Sequence, residues 1–126
     1  MTATFHAVVL AGDRGADDPV AKHTGAPCKA LVPVAGRPML LRVLDALAAS
    51  AAVDGVTLVG PGAAQLGQCP ELVERLATGA IAWLPPQPSP SLSAAAALEH
   101  VPADRPVLLT TADHALLQAG WIDAFC

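Results

Sequence analysis

Aromatic side chains are nearly missing from this chain, which has no tyrosine, two tryptophans and two phenylalanines. Basic residues are scarce too: seven Lys and Arg stand against eleven Asp and Glu, for a formal net charge of −4. Without clustered cations or a row of stacking rings there is no footprint for nucleic acid, so no nucleic-acid partner is expected. Cysteine is limited to Cys28, Cys69 and Cys126, an odd set with no CxxC spacing. That pattern suits free thiols in a reducing compartment better than a disulfide framework or a zinc site. The hydrophobic fraction is 53%, yet no apolar run reaches the roughly 18 residues of a membrane span. Residues 1–6 lack the basic and apolar regions of a secretory signal. The expectation is a cytoplasmic protein with no membrane partner.

What is present is an alternation of strand and helix patterns without a repeat, which predicts an α/β domain over residues 1–126. It would have a mainly parallel sheet with helices on both faces. A first strand is expected at 6–11. A helix follows Pro38, placed at a first helical position, with Leu40, Val43, Leu44 and Leu47 on one face and Arg42 and Asp45 off it. Asp54-Gly55 reads as the end of a connection, and 56–59 as the second strand, broken by Gly60-Pro61-Gly62. A helical stretch ends over 70–77, with Leu72, Val73 and Leu76 apolar and Glu71, Glu74 and Arg75 exposed. A third strand is expected at 80–84. The prolines of 85–90 make a stiff loop, since none has an N–H to donate. An alanine-rich helix to about His100, capped by Ser91 or Ser93, leads to a fourth strand at 106–111. Residues 114–125 read as a short helix or turn, with Trp121, Ile122 and Phe125 as packing residues.

Two places stand out chemically. Gly12 and Gly15 follow the first strand, and Asp113 follows the fourth. In an open parallel sheet, ligands bind beyond the carboxyl ends of the strands at the switch in strand order, so these residues are expected to face one crevice. Glycines let backbone N–H groups approach phosphates. Lys29, set between Pro27 and an apolar stretch, would add a mobile positive charge, although a surface lysine with its stem on apolar neighbours fits the same pattern. Asp113 suits a hard cation such as Mg²⁺, and equally suits an N-cap. The loop is neither a dinucleotide fingerprint nor a Walker A motif. Arg37 reads as a surface residue. His6, His23 and His100 lack ligand spacing, and His114 reads as a solvated turn residue.

Taken together, Val8-Val9-Leu10-Ala11-Gly12 and Lys29-Ala30-Leu31-Val32-Pro33-Val34-Ala35-Gly36-Arg37-Pro38-Met39-Leu40 resemble the start of the nucleotidyltransferase superfamily. That group includes the molybdenum-cofactor guanylyltransferases and the sugar-phosphate nucleotidyltransferases. Residues 87–98 look like the family's Ser-bearing loop and helix, and 107–113 like the strand ending in its metal-binding aspartate. The resemblance implies the N-terminal part of a Rossmann-like, glycosyltransferase-A-like sheet. It also implies Mg²⁺-dependent transfer of an NMP group from an NTP to a phosphorylated small-molecule acceptor, with release of pyrophosphate. Leu10, Ala11, Gly12, Gly15 and Lys29 would hold the nucleotide, Lys29 and Asp113 would be catalytic, and Asp113 would ligate the metal.

The chain departs from the family pattern at two positions: Asp13 stands where a second glycine is expected, and Asp17 where an arginine is expected. These departures keep a second reading open, a catalytically degenerate nucleotide- or sugar-nucleotide-binding or regulatory module of the same fold. A dinucleotide-binding half-domain is a third, without its fingerprint. The fourth strand would be left as a sheet edge, which implies a homodimer or a missing C-terminal half.

Overall fold

The computed structural model describes residues 4–11, 31–34, 36–101 and 104–112. In chain order these form β1 (Phe5–Leu10), β2 (Pro33–Val34), β3 (Arg37–Pro38), α1 (Met39–Ala49), β4 (Val53–Val59), α2 (Ala63–Leu66), α3 (Pro70–Ala77), β5 (Ala82–Leu84), α4 (Pro90–Leu98) and β6 (Val107–Thr111). The main sheet has the order β5-β4-β1-β6 with every pairing parallel, and β2 and β3 form a separate antiparallel hairpin.

Alternation along the strands explains why helices lie on both faces. Ala7 and Val9 of β1 and Leu58 of β4 point to one face, where Leu40, Leu44 and Leu47 of α1, Leu66 of α2 and Leu72 of α3 cover them. Val8 and Val59 point to the other face and pack on Ala97 of α4. The α/β fold with helices on both faces of a parallel sheet is therefore as expected. The expected apolar face of α1, Leu40, Val43, Leu44 and Leu47, is buried, and Arg42 and Asp45 lie off it.

Several expected boundaries shift, each for a local reason. Pro38 is not the first helical residue: it caps α1 from an extended conformation and closes the β2–β3 hairpin. Asp54-Gly55 does not end a connection but lies inside β4. The register runs Phe5↔Val53 and then His6↔Gly55, so Asp54 is the extra residue of a bulge. Gly55 is needed there because a Cβ would come within 2.8 Å of His6 Nδ1. Val73 is exposed, whereas Glu71 and Arg75 are half-buried. The cap of α4 is neither Ser91 nor Ser93. Ser89 accepts from the Leu92 N–H at 3.2 Å, with Pro90 opening the helix, and Ser93 is buried and accepts from the Gln87 N–H at 3.1 Å. α4 ends at Leu98 rather than at His100.

Candidate active site

The carboxyl edge of the sheet is stitched by three backbone hydrogen bonds that continue past the strands. The Ala112 N–H donates to Leu10 O at 3.0 Å, Ala11 N–H to Val59 O at 2.8 Å, and Gly60 N–H to Leu84 O at 2.9 Å. Residues Leu10, Ala11 and Ala112 are thereby fixed side by side. The chain builds β4 and β5 on one side of β1 and then returns to place β6 on the other. The switch in strand order thus falls between β1 and β6, where open α/β sheets leave a ligand crevice.

Leu31 and Val32 are buried, each 6% exposed. Leu31 belongs to the same apolar cluster as Ala11 and Ala112. Two segments meet here through the backbone, the end of β1 and the end of β6, while Leu31 joins the extended apolar core that both border. Among the expected site residues, Leu10 and Ala11 are in place at this edge. Gly12, Gly15, Lys29 and Asp113 lie outside the described residues, as do the positions 114–125 expected to form a helix or turn. Three of the four are near chain neighbours of described residues: Gly12 follows Ala11, Asp113 follows Ala112, and Lys29 precedes Leu31 by two. Among the described residues, no group of three or more His, Cys, Asp or Glu is arranged to hold a metal ion. No helix among them is long and apolar enough to cross a membrane.

A cluster that the sequence reading missed lies behind the hairpin. Arg37 donates to Asp45 from Nε (2.7 Å) and Nη2 (3.0 Å), and to Glu71 from Nη1 (3.1 Å) and Nη2 (2.6 Å). Arg75 Nη2 donates to the same two carboxylates at 2.5 and 3.0 Å. Arg37 is therefore not a free surface residue: it ties the hairpin to α1 and α3. Burial alone would raise the Asp45 carboxyl, but the hydrogen bonds from Arg37 and Arg75 outweigh it and hold it below the usual range. The hydrogen bond from Arg37 does the same for Glu71. The Arg37 guanidinium is itself raised, first by its bond to Asp45 and then by that to Glu71. The i,i+4 spacing of Glu71 and Arg75 was visible in the sequence; the union of that pair with Arg37 and Asp45 was not.

Polar groups also meet at the opposite, amino end of the sheet. His6 Nε2 and Thr57 Oγ1 are 2.7 Å apart, and Arg105 pairs with Asp54 and donates to Thr4 Oγ1. A cleft of about 280 Å³ at that end is lined by Leu44, Leu47, Val53, Val56, Arg75 and Ile81 among others. It lies at the amino ends of β4 and β5, whereas Ala11 and Ala112 mark the carboxyl edge, so it is not the crevice of the strand-order switch.

Comparison with known proteins agrees with this fold. Residues 7–126 match the model of the MobA-like NTP transferase domain. The chain belongs to that family. Among solved structures, this NTP transferase domain resembles one described as a hypothetical transferase from Thermus thermophilus. Identity is 30% and the TM-score 0.68, covering 94% of this chain and 44% of the other. It also resembles a 4-diphosphocytidyl-2C-methyl-D-erythritol synthase from Anaerococcus prevotii (18% identity, TM-score 0.64, 97% and 51% covered). A CMP:2-keto-3-deoxy-manno-octonic acid synthetase complexed with CTP matches at 14% identity and TM-score 0.63, with 96% and 45% covered. At the lower identities the likeness is one of fold. The domain spans about half the length of these structures. No curated protein matches it.

Proposed function

We propose that this NTP transferase domain binds an NTP with Mg²⁺ at the carboxyl edge of β1 and β6 and moves its NMP group to a phosphorylated small-molecule acceptor. The observation that carries the reading is the backbone bond from the Ala112 N–H to Leu10 O, which sets Ala11 and Ala112 side by side at the strand-order switch. Each stands beside one of the sequence segments that resemble the nucleotidyltransferase motif.

An acceptor phosphate oxygen attacks the α-phosphorus, the bond from that phosphorus to the bridging oxygen breaks, and pyrophosphate leaves. Little covalent work falls to the protein in such a transfer, where positioning and charge stabilisation dominate. Gly12 and Gly15 would offer backbone N–H groups to the triphosphate, and the Lys29 ammonium would meet the charge that builds on the phosphates. Asp113 is a single hard oxygen donor next to Ala112, which fits Mg²⁺, a cation usually held by one or two carboxylates plus substrate phosphates. Bound there, Mg²⁺ would supply charge neutralisation across the phosphate oxygens.

Two of the similar structures are named for cytidylyl chemistry, so CTP is the first nucleotide to try, with GTP beside it. The test is pyrophosphate release from each NTP with Mg²⁺ over a panel of sugar and alcohol phosphates. The expected result is release with one nucleotide and one acceptor class, falling by about a hundredfold or more in Lys29→Ala. Nucleotide binding without pyrophosphate release for any acceptor would contradict transfer and leave a binding module.

A further inference from the structure

The way α3 ends leaves an opening beside the sheet. Gly79 takes φ +79°, and the Ala80 N–H reaches back to Arg75 O at 3.0 Å, which closes the helix and turns the chain toward β5. β5 then pairs only with Thr57–Val59. Residues 53–56 of the longer β4 therefore have β1 on one side and no strand on the other among the described residues. The cleft of about 280 Å³ opens there. Leu44 and Leu47 of α1 and Ile81, all buried, line it together with the half-buried Val53 and Val56. Ligand sites usually hold about 300–1,000 Å³, so this one suits a small apolar body rather than a nucleoside triphosphate.

Two charged residues line the cleft, and they are not equivalent. Asp54 is paired with Arg105, which offsets its charge. Arg75 reaches Asp45 and Glu71 from Nη2 alone; among the described residues its Nε and Nη1 donate to nothing. The side chain is 22% exposed, and a partly desolvated guanidinium with spare N–H groups forms stronger charge-assisted bonds than one in open water. A neutral apolar molecule would leave those N–H groups unanswered, and a phosphate would leave most of its oxygens without a donor. We propose that this cleft binds a small carboxylic acid with a compact apolar body: the carboxylate accepts from Arg75, and the hydrocarbon lies on Leu44, Leu47 and Ile81. The site is at the amino ends of β4 and β5, away from the carboxyl edge, and needs no nucleotide.

The test is an amide NMR titration of the wild-type protein with isocaproate, isocaproamide and acetate. Isocaproate should shift the Gly55, Val56 and Ile81 amides saturably and leave those of Ala11 and Ala112 unmoved. Isocaproamide, alike in shape but uncharged, should bind about tenfold more weakly. Acetate lacks the apolar body and should give no saturable shift. Ala48 is exposed and lines the cleft, so Ala48→Phe fills the space without removing any bond of Arg75 and should abolish binding of both larger ligands. Arg75→Gln should remove the preference for the acid over the amide. Should Arg75→Gln unfold, because it leaves Asp45 and Glu71 with one cation between them, the acid–amide comparison and Ala48→Phe still decide the matter.

Equal affinity for acid and amide, acetate binding as tightly as isocaproate, or shifts that gather at Ala11 and Ala112 would each overturn the proposal while leaving the functional reading intact. So would isocaproate binding unchanged by Ala48→Phe, or no saturable shift at Gly55, Val56 and Ile81.

Discussion

At the residue scale, His6 and Thr57 show how one polar contact sets an acid limit. Thr57 is 2% exposed, and its hydroxyl meets His6 Nε2 where Gly55 leaves room for the ring. Burial first, and the charge of Arg105 second, push the His6 pKa below its ordinary value. The unfolded chain therefore takes up the proton before the folded one does. Stability should fall as pH drops from about 6.5 toward the folded pKa and be fully kept above that window. His6→Gln should flatten the slope of Tm against pH between about pH 7 and pH 5, which thermal melts can read. Gly55→Ala drives a methyl into the ring; the expected cost is about 1–2 kcal/mol by urea unfolding, since either the ring or the strand must shift. Asp45 and Glu71 act in the same direction at a lower pH. Their depressed carboxyls contribute above about pH 4 and lose that contribution as pH falls through their folded pKa values, by an amount that partial exposure keeps small.

At the element scale, α4 depends on its first turn. Ser89→Ala should lower stability by about 1 kcal/mol, whereas Ser91→Ala should change little, and a pair of denaturation curves separates them. α3 depends on burial: Leu72 is fully buried, and Leu72→Ala should cost about 2–5 kcal/mol. The body of α1 was legible because its apolar residues recur at helical spacing, while the stretch expected to end over 70–77 is α3 itself, opened by Pro70 and preceded by the short α2. The start of β4 was not legible. Asp-Gly is a turn signal in isolation, and only pairing with β1 turns it into a bulge that aims Asp54 at Arg105. Val73 was misjudged for a related reason: a hydrophobic residue beside a charged pair says nothing about which side α3 turns to the sheet, and here the charged pair faces Arg37.

At the scale of the whole molecule, the strand order decides where chemistry can happen. Parallel strands with β1 central and a switch to β6 bring Ala11 and Ala112 together at the carboxyl edge, from residues a hundred positions apart. The sequence motif named Gly12, Lys29 and Asp113 as partners through resemblance; these three lie outside the described residues, and what the backbone shows is Ala11 and Ala112 held side by side. The Arg37 cluster escaped notice because it joins three elements whose contact only the tertiary fold creates. The most direct measurement is a thermal-shift titration of CTP and GTP, with and without Mg²⁺, on the wild-type protein, Lys29→Ala and Asp113→Ala. The account predicts an Mg²⁺-dependent rise with one nucleotide, worth about 2.7 kcal/mol at a hundredfold excess over Kd and lost in both variants. A rise that needs no metal and survives both substitutions, or no rise with either nucleotide, would contradict it.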